Sequence, residues 1–217
     1  MITEKISNYE KWCDEWRERF LKMDQGRLMS ILPELKLEGD LLTLYHFGHK
    51  YGISRSTGEI CSLEGESFVS TTIRLNIYTL FGYASPTAHF TDEWVPFENL
   101  KNTSPFAPAY RRGVLEPFAR TFSGHLSKLQ TACEKLGGER LSYSDAGYQL
   151  KAFDCIPVRF LFWEGDDEFP AQANTLFDTS ATDYIHGESI VTIATIGLYR
   201  IAQAAGLPVD GRSFGIV

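Results

Sequence analysis

The sequence predicts an α+β fold, a single domain with a mostly antiparallel sheet flanked by about five helices. Two patterns predict it: apolar residues recur every three or four positions in several separate stretches, and the strand-like runs come in adjacent groups joined by turn residues. A third observation is negative, since no repeat, low-complexity tract or linker divides the chain. The 217 residues are 43% hydrophobic and 23% charged, an ordinary globular composition. A chain of this size buries roughly 70% of its unfolded surface and needs no disulfide or metal to close a core.

Residues 2 to 23 place Ile2, Ile6, Tyr9, Cys13, Trp16, Phe20 and Met23 on one stripe, which reads as an amphipathic helix packed on its own domain. After Gly26 and Pro33, Leu41 to Phe47 and Lys50 to Ser54 read as a hairpin turning at Gly48-His49, with Ile60 to Leu63 as a third strand. Val69, Ile73, Ile77, Leu80 and Phe81 mark a second helix, with Gly82 as its stop. The long stretch from Tyr83 to Tyr110 reads as an excursion packed by its aromatics, extended only at Trp94 to Phe97. A long third helix runs from Leu115 to Leu136, carrying Phe118, Phe122, Leu126, Leu129 and Cys133 on one stripe before Gly137-Gly138. Strands follow at Arg140 to Tyr143, Gln149 to Phe153 and Ile156 to Trp163, the last central and covered on both faces. A helix is expected to begin near Pro170 and carry Ala171, Asn174, Thr175 and Leu176, and a last helix runs from about Glu188 to Gly206.

Twenty-one Lys and Arg against 28 Asp and Glu give a net charge of −7, and the basic residues are not clustered. Nucleic acid is therefore not an expected partner. No stretch approaches the roughly 20 apolar residues of a membrane span, and the N-terminus has no apolar signal core. No membrane partner and a cytoplasmic location are the expectation. Cys13, Cys61, Cys133 and Cys155 are too far apart for a zinc knuckle or a redox pair, so buried thiols are expected. His46 and His49, three apart on a strand and turn, are expected at the surface or an edge, on different sides. The serine hydrolase, phosphate-loop and dinucleotide motifs are missing from the sequence.

The run Glu164-Gly165-Asp166-Asp167-Glu168-Phe169-Pro170 holds four carboxylates where a strand ends and a helix is expected to start. One reading makes them caps for that helix, with Pro170 in its first turn. The other begins from their mutual repulsion, which a shared cation relieves. Asp178, Asp183, His186 and Glu188 follow closely, so a fold-back would join oxygen ligands to one imidazole, suited to magnesium, calcium, manganese or iron. The candidate binding residues are Glu164, Asp166, Asp167, Glu168, Asn174 and Tyr184; the candidate metal ligands are Asp166, Asp167, Glu168, Asp178 and His186. The spacing matches no established ligand pattern.

The run Phe162 to Ala171, followed by Ala173-Asn174, Leu176-Phe177-Asp178, Ser180-Ala181 and Tyr184, resembles the signature of the uncharacterised family DUF3786. Thr57-Gly58-Glu59, the helix around Leu75 to Phe81, Trp94 to Phe97 and Leu136-Gly137-Gly138 resemble that family's order, so the likeness covers roughly residues 35 to 203. The resemblance implies a bacterial or archaeal protein of largely anaerobic organisms and of unknown function. Some members carry a cysteine-rich iron-sulfur segment ahead of this domain. The first 35 residues here hold only Cys13, so no iron-sulfur cluster is expected in this chain. Where the family is expected to carry a His in its second helix, this chain has Asn76 and Tyr78. The organisation expected is an N-terminal helix and connector (1–34), a DUF3786-like domain (35–205) and a C-terminal tail (206–217).

Three functions fit these readings. The first is an accessory or binding protein whose acidic pocket takes a metal, a cofactor or a partner in anaerobic metabolism. The second is a metal-dependent hydrolase, with Glu164 or Glu168 as general base or metal ligand, Asp166, Asp167 and Asp178 on a divalent ion, and His186 moving protons. The third is an interaction module in which the acidic run only caps a helix. The cofactor the carboxylates would take is a divalent metal, and the partner is another protein or a second copy of the chain.

Overall fold

The computed structural model describes residues 8–65 and 68–211, so Ile2 and Ile6 of the predicted first helix lie outside the described residues. Helix α1 (Asn8–Leu21) buries Cys13 and Phe20 on its apolar stripe. Helix α2 (Gln25–Ile31) starts at Asp24, whose carboxylate accepts from the Arg27 amide at 3.0 Å, as a cap should. Strands β1 (Lys36–Glu38), β2 (Leu41–His46), β3 (His49–Ser54) and β4 (Ile60–Ser62) then form an antiparallel meander in that order.

The β2–β3 turn corrects the expectation for the two histidines. Phe47 and Gly48 both have positive φ, 49° and 77°, the two-residue hairpin geometry that matches strand twist. The register therefore sets His46 directly opposite His49, on one side of the sheet. His46 is 1% exposed. Its ring stacks on Phe153 at 4.4 Å, and Nδ1 donates to the Ala152 carbonyl at 2.7 Å.

Helix α3 (Thr71–Tyr83) runs through Gly82 instead of stopping there. A Cβ at Gly82 would lie 2.2 Å from Cζ3 of Trp16, so this glycine is the seat for an indole from α1. Phe20 meets Phe81 at 5.6 Å in the same seam. The first helix thus packs on its own chain, as its stripe predicts. Beyond α3 the excursion is packed in part as expected: it contributes β5 (Trp94–Pro96), and Phe97 stacks on Tyr110 at 4.0 Å, whereas Phe90 is 51% exposed.

The predicted long third helix is divided. Helix α4 (Ala107–Tyr110) leads through a π-helical turn at Arg111–Leu115 into α5 (Glu116–Phe122), and α6 (Leu126–Lys135) follows after a break. Gly124, at φ +74°, lies in the break. Phe118, Phe122, Leu129 and Cys133 are buried on both sides of it, so the apolar period persists where the helix does not.

Strands β6 (Glu139–Arg140), β7 (Ala146–Phe153), β8 (Ile156–Trp163) and β9 (Gln172–Asp178) join β5 in a second antiparallel sheet, ordered β5-β9-β8-β7-β6. The strands thus divide into two sheets rather than one. The Phe47 amide ties them, donating to the Ala152 carbonyl at 3.1 Å. β8 is central, as its sequence predicts. β9 replaces the helix expected from Pro170: Thr175 and Phe177 are fully buried while Gln172 is exposed, a period of two. Pairing to β8 and β5 on both sides holds this segment extended despite its Ala and Asn. Helices α7 (Ala181–Tyr184) and α8 (Gly187–Ala205) complete the domain, with Gly206 left-handed at the end of α8.

One face of β8 packs Phe160 and Phe162 against Phe118 of α5, at 5.9 and 6.0 Å. Each such side chain removed from water contributes about 1.5–3 kcal/mol. The opposite face carries Arg159, Leu161 and Trp163. Leu161 is buried, but Trp163 is 39% exposed, so the coverage expected on both faces is partial.

Candidate functional site: an acidic hairpin beside an aromatic sheet face

The acidic run is the loop of the β8–β9 hairpin. Asp166 Oδ1 accepts from the amides of Glu168 (2.8 Å) and Phe169 (2.7 Å), and the Asp166 amide donates to the Phe169 carbonyl at 2.9 Å. These are the bonds an N-cap residue makes to the second and third amides of a helix. Here the chain turns into a strand, so the capping reading had the right donors and the wrong element. Hydrogen bonds from Phe169 and Glu168 hold the Asp166 carboxyl below its ordinary range.

Glu164 faces back into the protein: Oε1 accepts from the Gly124 amide at 3.0 Å, and its own amide donates to Asp145 at 2.7 Å. The base of the hairpin is thereby fastened to the break between α5 and α6. Asp167 and Glu168 are exposed at the tip. Phe169 beside them is 62% exposed and Trp163 below them 39%.

From the hairpin the outer face of the sheet continues through one cross-strand row, Gln149, Arg159, Leu176 and Pro96. Asn174 sits on the same face opposite Leu161, its side-chain oxygen accepting from the Thr175 amide at 2.8 Å. Arg159 is the centre of the row. Its guanidinium carbon is 3.6 Å from the centroid of the Trp94 ring, Nε donates to Gln149 at 3.0 Å and Nη1 donates to Tyr143 at 3.0 Å. Trp94 is fixed in turn by its indole N–H, which donates to Asp92 at 2.9 Å.

The other candidates lie elsewhere. Asp178 ends β9, separated from the hairpin by the strand's length of about 20 Å. It is 1% exposed and accepts from the Thr91 amide and hydroxyl and from the Ser180 amide and hydroxyl. Burial alone would raise its pKa; the bonds from Ser180 and Thr91 outweigh that and lower it. His186 caps α8, its Nδ1 accepting from the Glu188 amide at 3.2 Å, with its ring 5.4 Å from Tyr83. Asp166, Asp167 and Glu168 therefore share one loop, while Asp178 and His186 are held apart from it. Among the described residues no group of three or more His, Cys, Asp or Glu is placed to hold a metal ion.

Tyr184 is buried near two residues that sequence spacing did not single out as partners, Glu34 and Cys155. Burial raises the Tyr184 phenol, and the Glu34 carboxylate adds to the effect. The Cys155 amide donates to Glu34 Oε1 at 3.4 Å, and burial raises the Glu34 carboxyl. Their 121-residue separation along the chain leaves no local signal. Burial also raises the thiols of Cys13, to about 11, and of Cys133, to about 12, which keeps them protonated and unreactive. Cys61 is exposed, unlike the buried thiols expected.

A sequence model of DUF3786, a domain of unknown function, matches residues 32–200. The chain belongs to the DUF3786 family. The matched DUF3786 region runs from the end of α2 to within α8, so it contains both sheets, the acidic hairpin and the Arg159 row. Comparison with curated proteins and with solved structures gave no match. No helix of the described residues is long and apolar enough to cross a membrane.

Proposed function

We propose that this DUF3786 protein is an accessory binding protein, and that its β8–β9 hairpin with the adjoining sheet face receives a basic segment of a partner protein. The observation that carries the reading is the arrangement at the tip. Asp166 and Glu164 each commit one carboxylate oxygen to backbone amides, which fixes the loop, while Asp167 and Glu168 are presented outward beside the exposed rings of Phe169 and Trp163. Carboxylates next to aromatic faces suit Lys and Arg side chains, which can pair with the first and stack on the second. The net charge of −7 extends the attraction to longer range. A cytoplasmic setting is part of this reading, and it suits the free state of all four cysteines.

Anisotropy of a labelled Lys- and Arg-rich peptide carrying one aromatic residue tests the reading. Saturable binding to the full chain is expected, weakening with salt. The double substitution Asp167→Asn and Glu168→Gln should weaken it about tenfold, given about 0.2–1 kcal/mol for each exposed pair and a further loss of shared attraction. Equal weakening by neutralising Glu15 and Glu18 on α1 would assign the binding to net charge alone and contradict the proposal.

A further inference from the structure

A second concave site lies apart from the hairpin tip. A cleft of about 220 Å³ opens where the β2–β3 turn meets β7 and the turn after α6. Its walls include Tyr45, Phe47 and Phe153, and its charged groups are Glu139, Lys151 and Asp154. The volume falls below the roughly 300 Å³ at which drug-sized ligand pockets begin, so its scale is that of a few heavy atoms.

Phe47 makes one wall at a conformational cost. It is a bulky residue at φ 49°, a region that such residues seldom enter. Its amide bond to Ala152 and its ring contact with Phe160, 6.5 Å between centroids, hold it there. The hairpin turn that requires this conformation also sets the Phe47 backbone at the edge of the cleft.

The charges around the cleft do not cancel. Lys151 is taken by Asp154, with Nζ 3.2 Å from Oδ1, which leaves Glu139 as the excess carboxylate. Gln149 steadies it, Nε2 donating to Glu139 Oε2 at 3.3 Å. Leu136 and Gly137 bring the C-terminal end of α6 to the rim, and that end carries the negative pole of the helix dipole. The Tyr45 ring, 51% exposed, offers a π face, which attracts cations as well. Carboxylate, helix C-terminus and the Tyr45 face all favour one positive charge attached to a small apolar body.

We propose that the cleft between the β2–β3 turn, β7 and the end of α6 binds a small primary alkylammonium ion, its nitrogen toward Glu139 and its carbon chain against Tyr45 and Leu136. The site is independent of the hairpin and would stand if the hairpin bound nothing.

Saturation-transfer NMR on the full chain with n-butylammonium, n-butanol and butyrate at matched ionic strength tests it. Saturable binding of n-butylammonium is expected, with the alcohol and the acid at least about tenfold weaker. Glu139→Gln, nearly isosteric at an exposed position, should weaken the amine about tenfold, whereas Lys151→Met should strengthen it by freeing Asp154. Asp167→Asn in the hairpin should change nothing. No saturable binding of the amine, equal binding of butanol, or an unchanged affinity in folded Glu139→Gln would each overturn the proposal.

Discussion

The Arg159 guanidinium lies 3.6 Å from the centre of the Trp94 ring, and this contact joins the edge strand β5 to the central strand β8 across the outer face of β9. Gln149 and Tyr143 take two of its N–H groups, so Arg159 links side chains from three strands and the β6–β7 connection on this face. A partly exposed cation over an indole contributes about 0.5–1 kcal/mol. A double-mutant cycle with Arg159→Met and Trp94→Leu, read by urea unfolding, should return a coupling of that size. Additive losses would mean that Trp94 only stands beside Arg159.

Replacing Gly82 by Ala ought to help an isolated helix, because Ala is favoured there by about 1 kcal/mol. In this protein the sign should reverse. The new Cβ would fall 2.2 Å from the Trp16 ring, and forcing α1 off α3 should cost about 1–3 kcal/mol. Chemical denaturation measures it; an unchanged or higher midpoint would mean that Trp16 finds another seat without loss.

Asp178→Ala should destabilise the protein by about 1.5–3 kcal/mol, since the Thr91 and Ser180 groups that donate to a charged acceptor lose it together. The loss should be local as well as global. Amide exchange at Thr91 and Ser180 should accelerate before the rest of the sheet does.

Burial pushes the His46 imidazole down from 6.5 to about 4, which sets a pH dependence. The folded state disfavours the charged ring, so between those values the unfolded chain binds more protons. Stability from this group is complete above pH 6.5 and falls as pH drops from 6.5 toward 4, by about 3 kcal/mol in all. His46→Phe keeps an aromatic ring against Phe153 and should flatten that part of the profile of unfolding free energy against pH. A slope as steep as in the unsubstituted protein would place the titration elsewhere.

Much of this was legible in the residues. β8 was readable over its full length because its apolar side chains alternate, and α8 because His186 and Gly206 bracket a helical stripe. Elsewhere the same local signal served two structures. Asp166 and Pro170 announce a helix start, yet the bonds Asp166 makes equally close a hairpin, and only pairing with β5 and β8 decides for a strand. Gly82 looked like punctuation because the indole that occupies its missing side chain comes from another helix. The break at Gly124 was hidden by an apolar stripe that stays buried on both sides of it.

The site divided in the same way. Glu164 to Glu168 were visible as a cluster because they are adjacent in sequence. Their distance from Asp178 and His186 depended on β9 being extended, where a helix of the same residues would have been about half as long. Arg159 and Trp94 are 65 positions apart by their numbering, and no spacing in the chain pairs them.

The most direct test of the binding role is an amide-shift map of the full chain titrated with the basic aromatic peptide. The proposal predicts the largest changes at Asp166, Asp167, Glu168 and Phe169, extending along the outer face through Trp163, with α1 unaffected. Changes spread evenly over acidic surface residues, or confined to α1, would contradict it.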